Sequence, residues 1–207
     1  MALLAGQRIV VVDVETTGFS AATDSIVEIA CVTIDNGALT EAWSSLVQAG
    51  RPVPAEATRV HGITDAMLAT APSAPEVAKP FRERCGNSTL AIHNASFDLP
   101  FLETLLRRHG ADPLYCPIVD TLGLARGLFG QGGNSLGELA RRLGIRLEGA
   151  HRALGDARAA AELLLVLAPR WEAEKGVTSL AELAAVSQDA IRLTSKRGSR
   201  VPAPAGV

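Results

Sequence analysis

The chain has 207 residues, 47% of them hydrophobic, with a mean hydropathy of +0.19, which is enough for one ordinary globular domain with a substantial core. A formal net charge of −2 and a pI near 6.1 exclude bulk electrostatics as the route to nucleic acid, though not a local grip on a few phosphates. No apolar run approaches the roughly 20 residues of a membrane helix, and the opening MALLAGQR is too short for a secretory signal.

Gln7 to Glu15 reads as a strand, Ser25 to Ile34 as a second, and Asn36-Gly37 as a hairpin turn into a third, Leu39 to Gln48. An irregular stretch centred on VHGIT (Val60 to Thr64) leads to a helix from about Ala74 to Cys85. TLAIHNA, from Thr89, reads as a short buried strand. The run from Ser96 reads as a helix with Ser96 as N-cap, Pro100 in its early turns and Gly110 as its stop. Pro117 to Leu122 is a fifth strand, and Ser135 to Leu143 a helix ending at Gly144. Arg152 to Leu167 is the longest helix, with Pro169 as its stop, and a further amphipathic piece covers Ser179 to Leu193.

Three antiparallel strands followed by alternating helices and strands predict an α/β fold, a mixed five-stranded sheet flanked by helices. That is the order of a ribonuclease H-like domain. The expected division is a domain over 1–170, a helical appendage over 171–194 and a flexible tail over 195–207. Cys31, Cys85 and Cys116 are odd in number and form no CxxC, so they are expected as buried thiols in a reducing cytoplasm.

Within the first strand, Asp13 and Glu15 are two positions apart and leave the same face. Burial makes each charge costly and the two repel, so such a pair asks for a cation between them. Two other segments place acids at strand edges or first helical turns. They are His93-Asn94-Ala-Ser-Phe97-Asp98, and His151-Arg-Ala153-Leu-Gly-Asp156. Taken singly, each acid has an ordinary explanation, as a capped strand end or a helix acid favoured by the dipole.

Together, in this order, the three segments match the motifs DxETTG, HNxxFD and HxAxxD, and the chain resembles the DEDDh family of 3′→5′ exonucleases over roughly residues 7 to 168. VHGIT and IVDTLGLAR (Ile118 to Arg126) bring it nearest to the proofreading epsilon subunit of bacterial DNA polymerase III and its relatives. The resemblance implies two divalent cations, Mg²⁺ or Mn²⁺, held by Asp13, Glu15, Asp98 and Asp156, with Asp13 bridging both. Hard cations prefer carboxylate oxygens, and a metal pair can clamp the attacking and leaving oxygens of a phosphodiester. It implies His151 as the general base, since imidazole titrates near the working pH. Thr16, Thr17, Gly18, Glu56 and His61 are implied as contacts to the 3′-terminal nucleotide, while His93 and Phe97 read as supports.

The implied activity is release of nucleoside 5′-monophosphates from single-stranded DNA 3′ ends, in proofreading or repair. A rival is an RNA-directed member of the superfamily, since DNA and RNA differ at the 2′-hydroxyl. Thr16 stands where oligoribonuclease-like sequences carry methionine, which favours DNA. A non-catalytic polymerase accessory subunit is the weaker rival, because no ligand acid is missing. No polymerase domain is visible, so the partners implied are a DNA polymerase III catalytic subunit or a sliding clamp in trans, and no membrane. Gln188-Asp-Ala-Ile191-Arg-Leu193 has the spacing of clamp-binding peptides, but so loose a pattern occurs often by chance, and Ile191 and Leu193 also fit a short amphipathic helix packed on the domain.

Overall fold

The expected strands form one sheet. The computed structural model describes residues 3–198, with side chains through Asp189, and its sheet runs β3-β2-β1-β4-β5. β1 (Arg8–Thr16), β2 (Ile26–Asp35) and β3 (Ala38–Leu46) are antiparallel, the last two joined at Asn36-Gly37. β4 (Thr89–Ile92) and β5 (Ile118–Asp120) run parallel to β1. The helices are α1 (Ala55–His61), α2 (Asp65–Leu68), α3 (Ala74–Cys85), α4 (Ala95–Arg108), α5 (Thr121–Phe129), α6 (Leu136–Leu143), α7 (Ala153–Lys175) and α8 (Leu180–Gly198).

Alternation along β1 decides the layers. Ile9 and Val11 join Ala30, Val32 and Ile34 in a core covered by α5, α7 and α8. Val10, Val12 and Val14 face the opposite core, with Phe81 of α3 and Leu102 of α4. The first stripe continues past Val11 to Asp13 and Glu15, so the face that α7 covers turns from apolar to acidic at the C-terminal end of β1.

Several local expectations are corrected. Pro169 lies inside α7, which runs on to Lys175. An internal proline costs about 3 kcal/mol, but Trp171 and Val177, buried beyond it, each return roughly 1.5–3 kcal/mol. Trp171 also donates its indole N–H to the Leu124 carbonyl at 3.1 Å. Helix α4 starts at Ala95 rather than after Ser96, and the Ser96 hydroxyl donates to Asn94 Oδ1 instead of capping the backbone. The amides of Asn94 and Ala95 are satisfied by the carboxylate of Asp120, at 3.0 and 2.8 Å.

Helix α5 was not expected. Its N-cap is the last residue of β5, Asp120, which accepts from Leu122 and Gly123, so no separate cap announces the helix. Cys116 is half-buried, whereas Cys31 and Cys85 are buried as expected.

The segment after α7, expected as a helical appendage, packs against α5 and β5. Leu180, Leu183 and Ala184 belong to the same core as β1, and α8 crosses α5 so closely that a Cβ on Gly123 would overlap the Ser187 carbonyl. Ser187 Oγ accepts the Asp120 amide at 3.0 Å. Helix α8 extends through Gly198, and the remainder of the expected tail, 199–207, lies outside the described residues. Gln188 reaches the Ile118 carbonyl at 3.5 Å; the side chains of Ile191 and Leu193, on which the clamp-peptide reading turns, lie outside the described residues.

Candidate active site

The acids of the three segments arrive from three elements. Asp13 and Glu15 stand at the end of β1, Asp98 in the first turn of α4 and Asp156 in the first turn of α7. Carboxylate oxygens of Asp13, Glu15 and Asp156 lie within 4.8 Å of one another. Asp98 is buried, and its Oδ1 accepts the Val14 amide at 3.2 Å, which ties α4 to the strand between the two β1 acids.

Burial, then the Asp98 and Asp156 charges, hold Asp13 well above the usual carboxylate range. Burial and the Asp156 charge push Glu15 up to about 8, against the pull of the Arg152 guanidinium. Burial raises Asp98 to about 7 despite its amide donor, and raises Asp156 as well. A set of oxygen donors, each pushed towards its protonated form by burial and crowding, fits a hard divalent cation, whose charge would relieve both.

His151 is exposed, on the loop before α7, with its backbone at φ +59°, and its amide donates to Asp156 Oδ2 at 3.1 Å. A non-glycine residue in that region is strained, and such strain collects at functional positions. Gly155 permits the arrangement, because a Cβ there would overlap the Glu148 carbonyl of the same loop. His93, by contrast, is an internal support. It bonds Thr121 Oγ1 at 2.9 Å, and burial pushes its imidazole down to about 4.

A cleft of about 620 Å³ opens beside Glu15, lined by Thr16, Thr17, Gly18, Glu56 and His61, so the structure gathers every expected substrate contact along one depression. Thr16 and Thr17 are buried, however, and their hydroxyls are engaged within the loop. Thr16 donates to the Gly18 carbonyl at 2.6 Å, Thr17 Oγ1 bonds Asp24 and Ser25, and the Thr17 amide goes to the Ser25 carbonyl. These residues shape the wall. His61 is buried, and its Nδ1 accepts the Ile63 amide at 3.0 Å, so Nε2 carries the proton. Burial lowers the pKa of the ring, against the pull of the Thr16 backbone. Glu56 is exposed at the rim, paired with Arg59 at 3.3 Å.

The sequence model of the Exonuclease (RNase T) family matches residues 10–164, most of the chain. The chain belongs to that family. The chain is 45% identical over 179 residues to a DNA polymerase III subunit epsilon-like protein of Rhodobacter capsulatus, covering 82% of this chain and 25% of that protein. It is 40% identical over 164 residues to the PolC-type DNA polymerase III of Bacillus cereus, covering 79% and 11% respectively. It therefore spans a quarter or less of the length of these curated relatives. Among solved structures it superposes on Exonuclease X in complex with 5′ overhanging duplex DNA, with a TM-score of 0.68 and 28% identity over 86% of this chain and 99% of that one. E. coli Exonuclease I in complex with a dT13 oligonucleotide shares the fold, with a TM-score of 0.74 at 18% identity over 82% of this chain and 43% of that one.

Three residues beside the site were not legible in the sequence. Phe19 is 93% exposed at the cleft rim, edge-on to Phe97 at 6.3 Å. Asp120, fully buried, holds the start of α4 and hence Asp98. Glu28 is a buried acid directly opposite Glu15 in the β1–β2 register. The only sequence signal for Glu28 was an acid within the apolar run SIVEIACV, on the face that alternation assigns to the core.

Proposed function

We propose that this exonuclease hydrolyses the terminal phosphodiester of single-stranded DNA from the 3′ end, releasing nucleoside 5′-monophosphates in proofreading or repair. The observation that carries the reading is the convergence of Asp13, Glu15 and Asp156 within 4.8 Å at the head of a cleft rimmed by an exposed phenylalanine. Two divalent cations, Mg²⁺ or Mn²⁺, are the cofactors, held by Asp13, Glu15, Asp98 and Asp156. When bound they supply Lewis-acid stabilisation of charge developing on the phosphate and on both exchanging oxygens.

The residues of the chain do the rest. His151, on an exposed loop next to Asp156, accepts a proton from the attacking water. The new bond forms between that water oxygen and phosphorus, the bond to the 3′ oxygen of the preceding nucleotide breaks, and the terminal nucleotide leaves with its 5′-phosphate. Glu56 at the rim, with the His61 ring and Gly18 in the wall of the cleft, meets the terminal nucleotide. The Phe19 ring stacks on an unpaired base, a contact that favours a single strand.

A DNA substrate is supported by Thr16, by the replicative names of the relatives and by the DNA in the Exonuclease X complex. Residues 1–170 are the catalytic domain in this reading and 171–194 its buttress. The enzyme works in the cytoplasm, with a DNA polymerase III catalytic subunit or a sliding clamp as its protein partner.

The test uses 5′-labelled DNA and RNA of one sequence, each with Mg²⁺ or Mn²⁺, beside Asp156→Ala and His151→Ala. The expected result is a ladder shortening from the 3′ end of DNA, lost in EDTA and with Asp156→Ala. His151→Ala lowers turnover by about 10²–10⁴-fold. A ladder mainly on RNA moves the substrate to the rival class, and full activity of Asp156→Ala refutes the mechanism.

A further inference from the structure

Glu28 is only 4% exposed, third in a strand whose residues are otherwise apolar as far as Val32, and directly opposite Glu15. A carboxylate this deep persists only with its charge and its lone pairs matched. Both oxygens are matched, and by two consecutive residues. Arg152 Nη2 donates to Oε1 at 2.7 Å and Arg152 Nε to Oε2 at 3.0 Å, in the planar fork that suits a carboxylate. The Ala153 amide donates to Oε2 at 2.9 Å.

Ala153 is the first residue of α7, and Arg152, the N-cap, offers no side-chain cap of its own. Glu28 therefore caps α7 from the neighbouring strand, across 125 residues of sequence. The bonded pair Arg152-Ala153 lies between the two functional groups of this segment. His151 immediately precedes it, and Asp156 follows within the same helical turn, receiving the His151 amide at 3.1 Å. The strained backbone at His151, φ +59°, is held from its C-terminal side by this clamp.

We infer that Glu28 is a positioning residue of the active site: through Arg152 and the Ala153 amide it fixes the start of α7 against the sheet, which sets Asp156 beside Asp13 and Glu15 and presents His151 on its loop. The inference rests on the metal-dependent hydrolysis proposed above. Although Glu28 is an acid adjacent to the cluster, it is not a ligand, because both of its oxygens are already engaged. Its effect is instead to bring a guanidinium to the edge of an acidic site. Partners that orient ligands in this way are generally worth about 10–100-fold in metal affinity or activity.

The test compares the full chain with Glu28→Gln, Arg152→Gln and the double variant. Mn²⁺ binding to the metal-free protein is followed by calorimetry, melting is followed in EDTA, and kcat and KM are measured on a single-stranded DNA oligonucleotide. Each single variant is expected to weaken Mn²⁺ binding about 10-fold and to lower kcat about 10–100-fold. KM should be unchanged, since neither residue lines the cleft. The double variant should lose no more than the worse single one, because the pair acts as one unit.

A folded variant with wild-type Mn²⁺ affinity and kcat overturns the inference, even when its melting temperature falls, because the pair is then a fold-stabilising ion pair only. Arg152 is half-exposed, with 42% of its side chain open to solvent, so Arg152→Gln carries the same test where Glu28→Gln fails to fold. Absence of Mn²⁺ binding by the wild type overturns the metal-dependent reading itself and this inference with it, an outcome distinct from a wild type that binds and variants that bind equally well.

Discussion

Replacing Glu15 by glutamine removes one charge from the acidic cluster while nearly preserving its shape, and the two consequences have opposite sign. In the folded protein the Glu15 carboxyl is held at about 8, against 4.5 for an ordinary glutamate, chiefly by burial and then by the Asp156 charge. An acid whose pKa is raised on folding binds its proton more tightly in the native state. Between pH 4.5 and 8 the native protein therefore carries a proton that the unfolded chain has lost, and stability falls as the pH rises through that window. At about 1.36 kcal/mol per pH unit the window bounds the effect at about 5 kcal/mol. Asp156, Glu28 and Asp98 share the repulsion, and Glu15 retains some contact with water, so about 2 kcal/mol is the expected share at pH 8. Glutamine has no such ionisation.

Without metal, Glu15→Gln should thus melt above the wild type at pH 8 by about 4–8 °C, at about 2–4 °C per kcal/mol for a chain of this size. The difference should nearly vanish at pH 5. Saturating Mg²⁺ should reverse the order, since a ligand at about 100 times its Kd stabilises the native state by about 2.7 kcal/mol and the variant lacks one of the ligands. The assay is thermal melting at pH 5 and pH 8, in EDTA and in Mg²⁺, with exonuclease activity as the companion readout; activity of the variant should be lost. A variant that melts at or below the wild type in EDTA at pH 8 would refute the argument that ionised Glu15 strains the fold.

Phe19→Ala removes a 93% exposed ring, so the melting temperature should not move, while loss of a base stack of about 1–3 kcal/mol should raise KM for single-stranded DNA roughly 5- to 100-fold; an unchanged KM refutes stacking. Gly123→Ala places a Cβ against the Ser187 carbonyl and should cost about 1–3 kcal/mol in chemical denaturation, whereas full stability would show that α8 is not packed on α5 as the structure places it.

The acids of the candidate site were legible because each depends on its near neighbours. The two-residue spacing of Asp13 and Glu15 puts both on one strand face, and Asp98 and Asp156 sit in first helical turns, where local pattern is informative. Helix α5 was not legible, because Asp120 serves at once as the end of β5 and as its N-cap. Nor was the persistence of α7 past Pro169, which depends on Trp171 being buried against α5. Thr16, Thr17 and Gly18 read as contacts to the terminal nucleotide, and only the folded loop shows that the two hydroxyls bond Gly18, Asp24 and Ser25.

The amino-acid sequence by itself determined the strand and helix periodicities, the α/β class and the three acidic segments, because these follow from side chains a few positions apart. Which face of the sheet α7 covers, and therefore which acids meet, was decided only by tertiary structure. The same holds for Glu28 and Arg152, 124 residues apart. Each looks like an ordinary charged residue until the β1–β2 register sets Glu28 opposite Glu15 and α7 lays Arg152 across it. The physical reason is range: backbone propensity and alternation act between near neighbours, whereas a buried charge selects its partner by position in space.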